Sequence, residues 1–217
     1  MQIVVHCNET QKEELTSQGV QPGINVIWVF EKVELERHKT ADVIIDLLFE
    51  KENLYLLKGL RGLKIINSVI DTLAETDASF VRFNGWPTFL NTHILEASAV
   101  HADLKKLTET VFSFFNKTVE WLSDEPGFVT PRVVSMIINE AYFALAEEVS
   151  TKEEIDLAMK LGTAYPFGPF EWSEKIGIKN IAALLKKLSV QQPRYTPAPL
   201  LLQQAHLIWL HTILPNA

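Results

Sequence analysis

Between Ala41 and Glu50 the chain reads ADVIIDLLFE, and from Val43 to Phe49 it is apolar except at Asp46. A run this short, rich in β-branched residues and without polar alternation, predicts a strand buried on both faces. Similar runs lie to either side: Met1 to Cys7 (MQIVVHC), Ile24 to Phe30 (INVIWVF), Leu63 to Ile66 and Ser79 to Phe83. The linking segments are polar. Glu9 to Gln18 is helix-permissive, and Gly19 stands where a helix C-cap is expected. Apolar runs alternating with linkers of this kind predict a parallel sheet covered by helices.

The pattern changes in the second half. Leu104, Leu107, Val111, Phe112, Phe114 and Phe115 recur at mostly helical spacing within Asp103 to Asn116, and Thr118 to Leu122 reads as a following strand. Strand signals then stop. Arg132 to Val149 carries a 3.6-residue period. Ser150 with Glu153, and Thr151 with Glu154, are capping-box spacings that start a helix running to Leu161 and ended by Gly162. Lys179 to Leu188 is amphipathic, and a breaker-rich stretch from Pro193 to Pro199 precedes an apolar helix from Leu200 to Ile213. The fold class read here is α/β plus all-α, divided into residues 1–125 and 126–217. Gly162, Pro166, Gly168 and Pro169 read as a tight turn, and Asn139 with Glu140 as a solvated or capping pair.

The chain has 217 residues and is 47% hydrophobic, enough for a sizeable core. Asp and Glu (27) exceed Lys and Arg (20), and the resulting net charge of -7 argues against nucleic acid as the main partner. One cysteine, Cys7, excludes an intrachain disulfide framework and a thiolate-based zinc site; no metal site is expected. Apolar runs fall short of the roughly 20 residues a membrane span needs, and the expected location is cytoplasmic.

Asp124 to Val149 reads DEPGFVTPRVVSMIINEAYFALAEEV, and Ile155 to Trp172 reads IDLAMKLGTAYPFGPFEW. Together they resemble the C-terminal helical domain of the 3-hydroxyacyl-CoA dehydrogenases, whose members there read approximately D-x-P-G-F-x-x-N-R, N-E-A and D-x-A-M-x-x-G-x-G-x-P-x-G-P. Upstream, ADVIIDLLFE resembles a strand of the same family, and Asn67 falls at the start of its N-T-S-S motif. The resemblance implies a reduced Rossmann-like domain followed by a helical domain of the 6-phosphogluconate-dehydrogenase-like type, through which members dimerise. Trp209 and Leu210 would be buried at that contact. It also implies NAD as cofactor and an acyl-CoA as ligand, with a histidine, oriented by a carboxylate, taking the proton of the 3-hydroxyl.

Carried over residue by residue, the resemblance puts Glu96 on that carboxylate, Asn84 on the histidine, and Pro131 on the asparagine of the G-F-x-x-N-R motif. The family's catalytic serine falls on Val69, with Ser68 one place away. An amide cannot accept the proton, and proline has no donor. His93 and His101 lie nearby as other candidate bases. The strand Met1 to Cys7 is followed by NETQKEELTSQG, without the G-x-G-x-x-G that lets a backbone approach a pyrophosphate. The helical arm that members place before the Ala41 strand has no counterpart in the residues preceding it. Three readings follow: a homologue that binds or regulates with its chemistry lost, a short-form dehydrogenase using other residues, and a related β-hydroxyacid or sugar-acid dehydrogenase.

Overall fold

The computed structural model describes the backbone of residues 1–213 and the side chains of residues 1–206. Trp209 and Leu210 lie outside the described side chains. The chain forms two compact units, Met1–Phe128 and Val129–Ala217.

In the first unit, among the described residues, β1 (Gln2–His6), β2 (Asn25–Val29), β3 (Val43–Asp46), β4 (Leu63–Asn67), β5 (Val81–Phe83), β6 (Ile94–Ala99) and β7 (Thr118–Trp121) form one sheet in the order β2-β1-β3-β4-β5-β6-β7. Successive side chains point to opposite faces. Ile3, Val5, Val43, Ile45, Ile65 and Phe83 therefore join one core with Leu15 of α1 (Glu9–Thr16) and Val111 and Phe112 of α3 (Ala102–Ser113). Val4, Ile44 and Ile66 face the other way, against Leu35 of the 3-10 segment Lys32–His38, Leu57 of the five-residue α2 (Leu54–Lys58), Leu73 and Phe80. Short elements cover this second face, which makes the Rossmann-like domain a reduced one.

The sheet is parallel except at one pairing. β5 and β6 run antiparallel, and β6 then pairs parallel with β7. Residues 84–93 join β5 to β6 without a crossover helix, and a connection that short returns the chain antiparallel. The expectation of a wholly parallel sheet is corrected here, and β6 itself was not expected. Ile94 and Ala99 at its ends leave only LEAS between them, too little alternation to be read as a strand.

The second unit is helical among the described residues: α4 (Thr130–Ala146), α5 (Lys152–Thr163), α6 (Pro169–Ile176), α7 (Ile178–Ser189) and α8 (Pro199–Ile213). The Thr151 capping box forms as its spacing predicts, with Thr151 Oγ1 accepting from the Glu154 N–H. Gly162 does not end α5. The helix runs through it, and the left-handed cap is Ala164, at φ 56°.

The glycine–proline stretch proves to be the start of a helix as well as a turn. Asp156 accepts hydrogen bonds from the Phe170 and Glu171 N–H groups at 2.8 and 3.1 Å, capping α6 from α5. A Cβ at Gly168 would come within 2.3 Å of Asp156, so only glycine admits the carboxylate here. Asn139 is likewise not solvated. Buried at 2% exposure, it donates to Thr196 O at 3.0 Å and accepts from Ala198 N–H at 2.7 Å, stapling α4 to the loop before α8. Glu140 is exposed.

Candidate functional site

The C-terminal ends of β3, β4 and β5 are tied by Asn67. Its amide donates to Leu47 O at 3.0 Å and Gly85 O at 3.1 Å, while its Oδ1 accepts from Gly85 N–H at 3.0 Å. A Cβ at Gly85 would meet Asn67 Cγ at 2.8 Å, so this latch needs the glycine. It fixes the backbone immediately after Asn84.

Asn84 is 2% exposed. Its Oδ1 accepts from Trp86 N–H at 3.3 Å, which turns Nδ2 toward Glu96 Oε2, also at 3.3 Å. Asn84 N–H also donates to Glu96 O at 2.9 Å, extending the β5–β6 ladder. Two sequence-selected residues are thus brought together as an amide–carboxylate pair. Ser68 is buried, and its hydroxyl donates to Asp71 O at 2.8 Å, closing a turn. Pro131 is a buried residue in the first turn of α4, where a missing N–H costs nothing. His93 and His101 are both exposed, and the His93 ring has no hydrogen-bond or ion-pair partner among the described residues.

The loop after Asn84 is pinned from two sides. Thr88, at φ 76°, donates its N–H to both oxygens of Glu14 at 3.0 Å. Buried Lys117 donates to Leu90 O at 2.5 Å and Thr92 O at 2.9 Å. Burial pushes its ammonium down to about 8 from 10.5, against the pull of Glu14. Between those values the folded chain has lost a proton that the unfolded chain still holds, so stability gained from Lys117 rises with pH across that window. Buried Cys7, raised by burial to about 11 from 9.0, works in the opposite sense between pH 9 and 11. In a Cys7→Ala background the urea midpoint should therefore climb from pH 7.5 to pH 10. Adding Lys117→Met should flatten that climb; a climb that persists assigns it to another group.

At the other end of the site the strand order reverses direction. β2 lies on one side of β1 and β3 on the other, and in such sheets ligands bind outside the carboxyl ends of the two diverging strands. His6 and Asp46 are register partners there, with Nδ1 and Oδ1 2.7 Å apart and side chains 5% and 1% exposed. Asp46 Oδ1 also accepts from Leu48 N–H at 3.1 Å. The pair was missed in the sequence because forty residues separate its members. The polar break in VIIDLLF was its only trace. Three strand steps of about 4.8 Å put His6 roughly 14 Å from Asn84.

The β1–α1 connection was tested for a pyrophosphate. Asn8 Oδ1 accepts from Gln11 N–H at 2.8 Å, and Asn8 N–H donates back to Gln11 Oε1 at 3.1 Å. The helix end is closed by its own capping box, Gln11 is buried against Leu47 O at 3.0 Å, and exposed Glu9 adds negative charge to the first turn. These residues do not fit the diphosphate of a dinucleotide.

Residues 127–209 match the model of the 3-hydroxyacyl-CoA dehydrogenase C-terminal domain. The helical unit belongs to the 3-hydroxyacyl-CoA dehydrogenase family. It is 44% identical over 93 residues to 3-hydroxyadipyl-CoA dehydrogenase of Escherichia coli K12, a match spanning 42% of this chain and only 20% of that protein. A probable 3-hydroxybutyryl-CoA dehydrogenase of Bacillus subtilis is 26% identical over 221 residues, 93% of this chain and 76% of its own. In fold, the (S)-3-hydroxybutyryl-CoA dehydrogenase of Ralstonia eutropha superposes with a TM-score of 0.73 at 20% identity, covering 96% of this chain and 94% of that one. A Rossmann-like unit followed by a helical one is therefore the fold of 3-hydroxyacyl-CoA dehydrogenases. Among the described residues no helix is long and apolar enough to cross a membrane, and no cluster of three or more metal-ligating side chains occurs.

Proposed function

We propose that the chain is a 3-hydroxyacyl-CoA dehydrogenase homologue of acyl-CoA metabolism that binds or regulates, with its hydride-transfer chemistry lost. The observation that carries this reading is the Asn84–Glu96 pair: the carboxylate is retained, and an amide that cannot take a proton occupies the place the resemblance gives to the histidine. The self-capped start of α1 supports the same reading, because it leaves no cradle for NAD in the family's manner. Ser68, engaged with Asp71 O, and Pro131, without a donor, fit a site that no longer holds a reacting oxygen. The ligand is an acyl-CoA and the working location a reducing, cytoplasmic one. Calorimetric titration with NADH and with acyl-CoAs of graded length tests this. Saturable acyl-CoA binding without NADH binding is expected; micromolar NADH affinity would sink it.

A homodimer through the helical unit belongs to the same proposal. Leu157 and Leu161 lie one turn apart on α5 at 54% and 79% exposure, an apolar stripe that a partner copy would cover. Light scattering at micromolar concentration should give twice the chain mass, and a monomer mass removes the claim.

A second reading, an active short-form dehydrogenase using other residues, is favoured by the His6–Asp46 pair. A carboxylate-oriented imidazole is the arrangement a general base needs. It stands at the wrong strand for the substrate position that Glu96 marks, so this reading requires a displaced substrate.

A further inference from the structure

The helical unit encloses a half-open cavity of about 650 Å³, a size that accommodates small-molecule ligands. None of Asn84, Glu96, Ser68 or Pro131 lines it. Phe170 and Ile178 form its apolar wall, and Tyr142, 3% exposed, packs its ring on Phe170 at 5.1 Å. Burial raises the Tyr142 hydroxyl above its ordinary ionisation range, so it stays a donor, and it gives its proton to Gln204 Oε1 at 3.1 Å. Lys152 Nζ reaches the same oxygen at 3.4 Å while lying 5.4 Å from the Phe170 ring centre.

Two donors on one oxygen fix the Gln204 amide with its NH₂ end turned away from both. That NH₂ group has no protein partner among the described residues. The cavity therefore presents the Lys152 and Lys179 ammoniums and an amide donor, against the single carboxylate of exposed Glu174. α7 begins at Ile178 on the same wall without a side-chain cap, adding the positive end of its dipole. Donors outnumber acceptors, and they sit beside aromatic and aliphatic surface.

We propose that this cavity binds a small organic monocarboxylate, its anionic end among Lys152, Lys179 and the Gln204 amide and its apolar body against Phe170 and Ile178. The geometry asks for both parts. Charge alone would be satisfied in water, and an apolar body alone would leave the two ammoniums and the amide unanswered.

Hexanoate, hexan-1-ol and inorganic phosphate, each titrated into the full chain and followed by the amide resonances of Gly177, Ile178 and Asn180 and the side-chain NH₂ of Gln204, separate these terms. Hexanoate should give saturable shifts at these groups with an affinity at least about tenfold tighter than either comparator, a difference that two desolvated ammoniums can supply. The double variant Lys152→Met, Lys179→Met, both half-buried positions that leave the core intact, should weaken hexanoate about tenfold or more and leave hexan-1-ol unchanged. Equal binding of hexanoate and hexan-1-ol would make the cavity a plain apolar cleft. Equal binding of phosphate would reduce it to a general anion site. Absence of saturable shifts with hexanoate, or shifts confined to other residues, would likewise overturn the assignment.

Discussion

Arg82→Met should destabilise the first unit by about 3–5 kcal/mol, the usual consequence of removing one partner from a buried ion pair. Arg82 is fully buried, and its guanidinium uses every direction it has. Nε donates to Asp124 Oδ1 at 2.5 Å, one terminal nitrogen to Ser68 O at 3.2 Å and the other to Glu125 O at 2.7 Å. Its face lies 4.1 Å from the Phe128 ring centre. Asp124 accepts from Leu73 N–H as well, and Gly127 N–H donates to Val69 O at 2.8 Å. One side chain thus holds the DEPGF segment against β4 and β5. Methionine would fill much of the volume but leave the Asp124 carboxylate short of its main partner and two carbonyls unmet.

Hydrogen exchange of the β4 and β5 amides reads this unit without interference from the helical one. The expected result is a large loss of protection there. Asp124→Leu in the same background should recover part of the loss, because the orphaned carboxylate goes with it. Protection unchanged in Arg82→Met would show that the segment is held by packing of Phe128 and Pro126 alone.

The second expected result is kinetic. NAD-dependent oxidation of 3-hydroxyacyl-CoA should fall at least about 10²–10⁴-fold below an ordinary dehydrogenase, the typical contribution of a positioned general base. Loss of an oxygen-holding donor, as Pro131 implies, costs about 10²-fold or more when measured alone, and the two need not multiply. Asn84→His should not restore turnover by itself, nor with Pro131→Asn, while the Asn8–Gln11 capping box closes the start of α1. Stopped-flow absorbance at the reduced nicotinamide band measures it. Ordinary turnover that is abolished by His6→Gln and insensitive to Glu96→Gln would move the base to the strand-reversal point. Ordinary turnover abolished by His93→Ala or Glu96→Gln would return it to the β5–β6 end. Either result replaces the binding or regulatory reading with that of an active short-form enzyme.

The parts of the molecule legible in its sequence are those that depend on near neighbours along the chain. VIIDLLF, MQIVVHC and INVIWVF are strands because β-branched runs of that length must bury both faces. The Thr151–Glu154 box and the 3.6-residue period of α4 are local too, since a helix is written in its own i, i+3 and i+4 contacts. The helical motifs were equally readable, although their meaning was not. Asp156, Gly168 and Asn139 looked like a turn and a solvated residue, and they prove to be a carboxylate cap, the space that cap requires, and a staple between α4 and the loop before α8.

Tertiary structure alone decided the rest. The antiparallel return at β6 follows from a connection too short for a crossover, and no residue in LEAS announces it. Arg82 with Asp124, and His6 with Asp46, are each about forty positions apart, and only strand register places one beside the other. The cavity of the helical unit takes its polar groups from five helices, with Tyr142, Lys152, Ser173, Asn180 and Gln204 one to each. Sequence specifies such sites only through the fold, because desolvation and hydrogen-bond geometry exist once the chain has brought distant side chains into the same low-dielectric space.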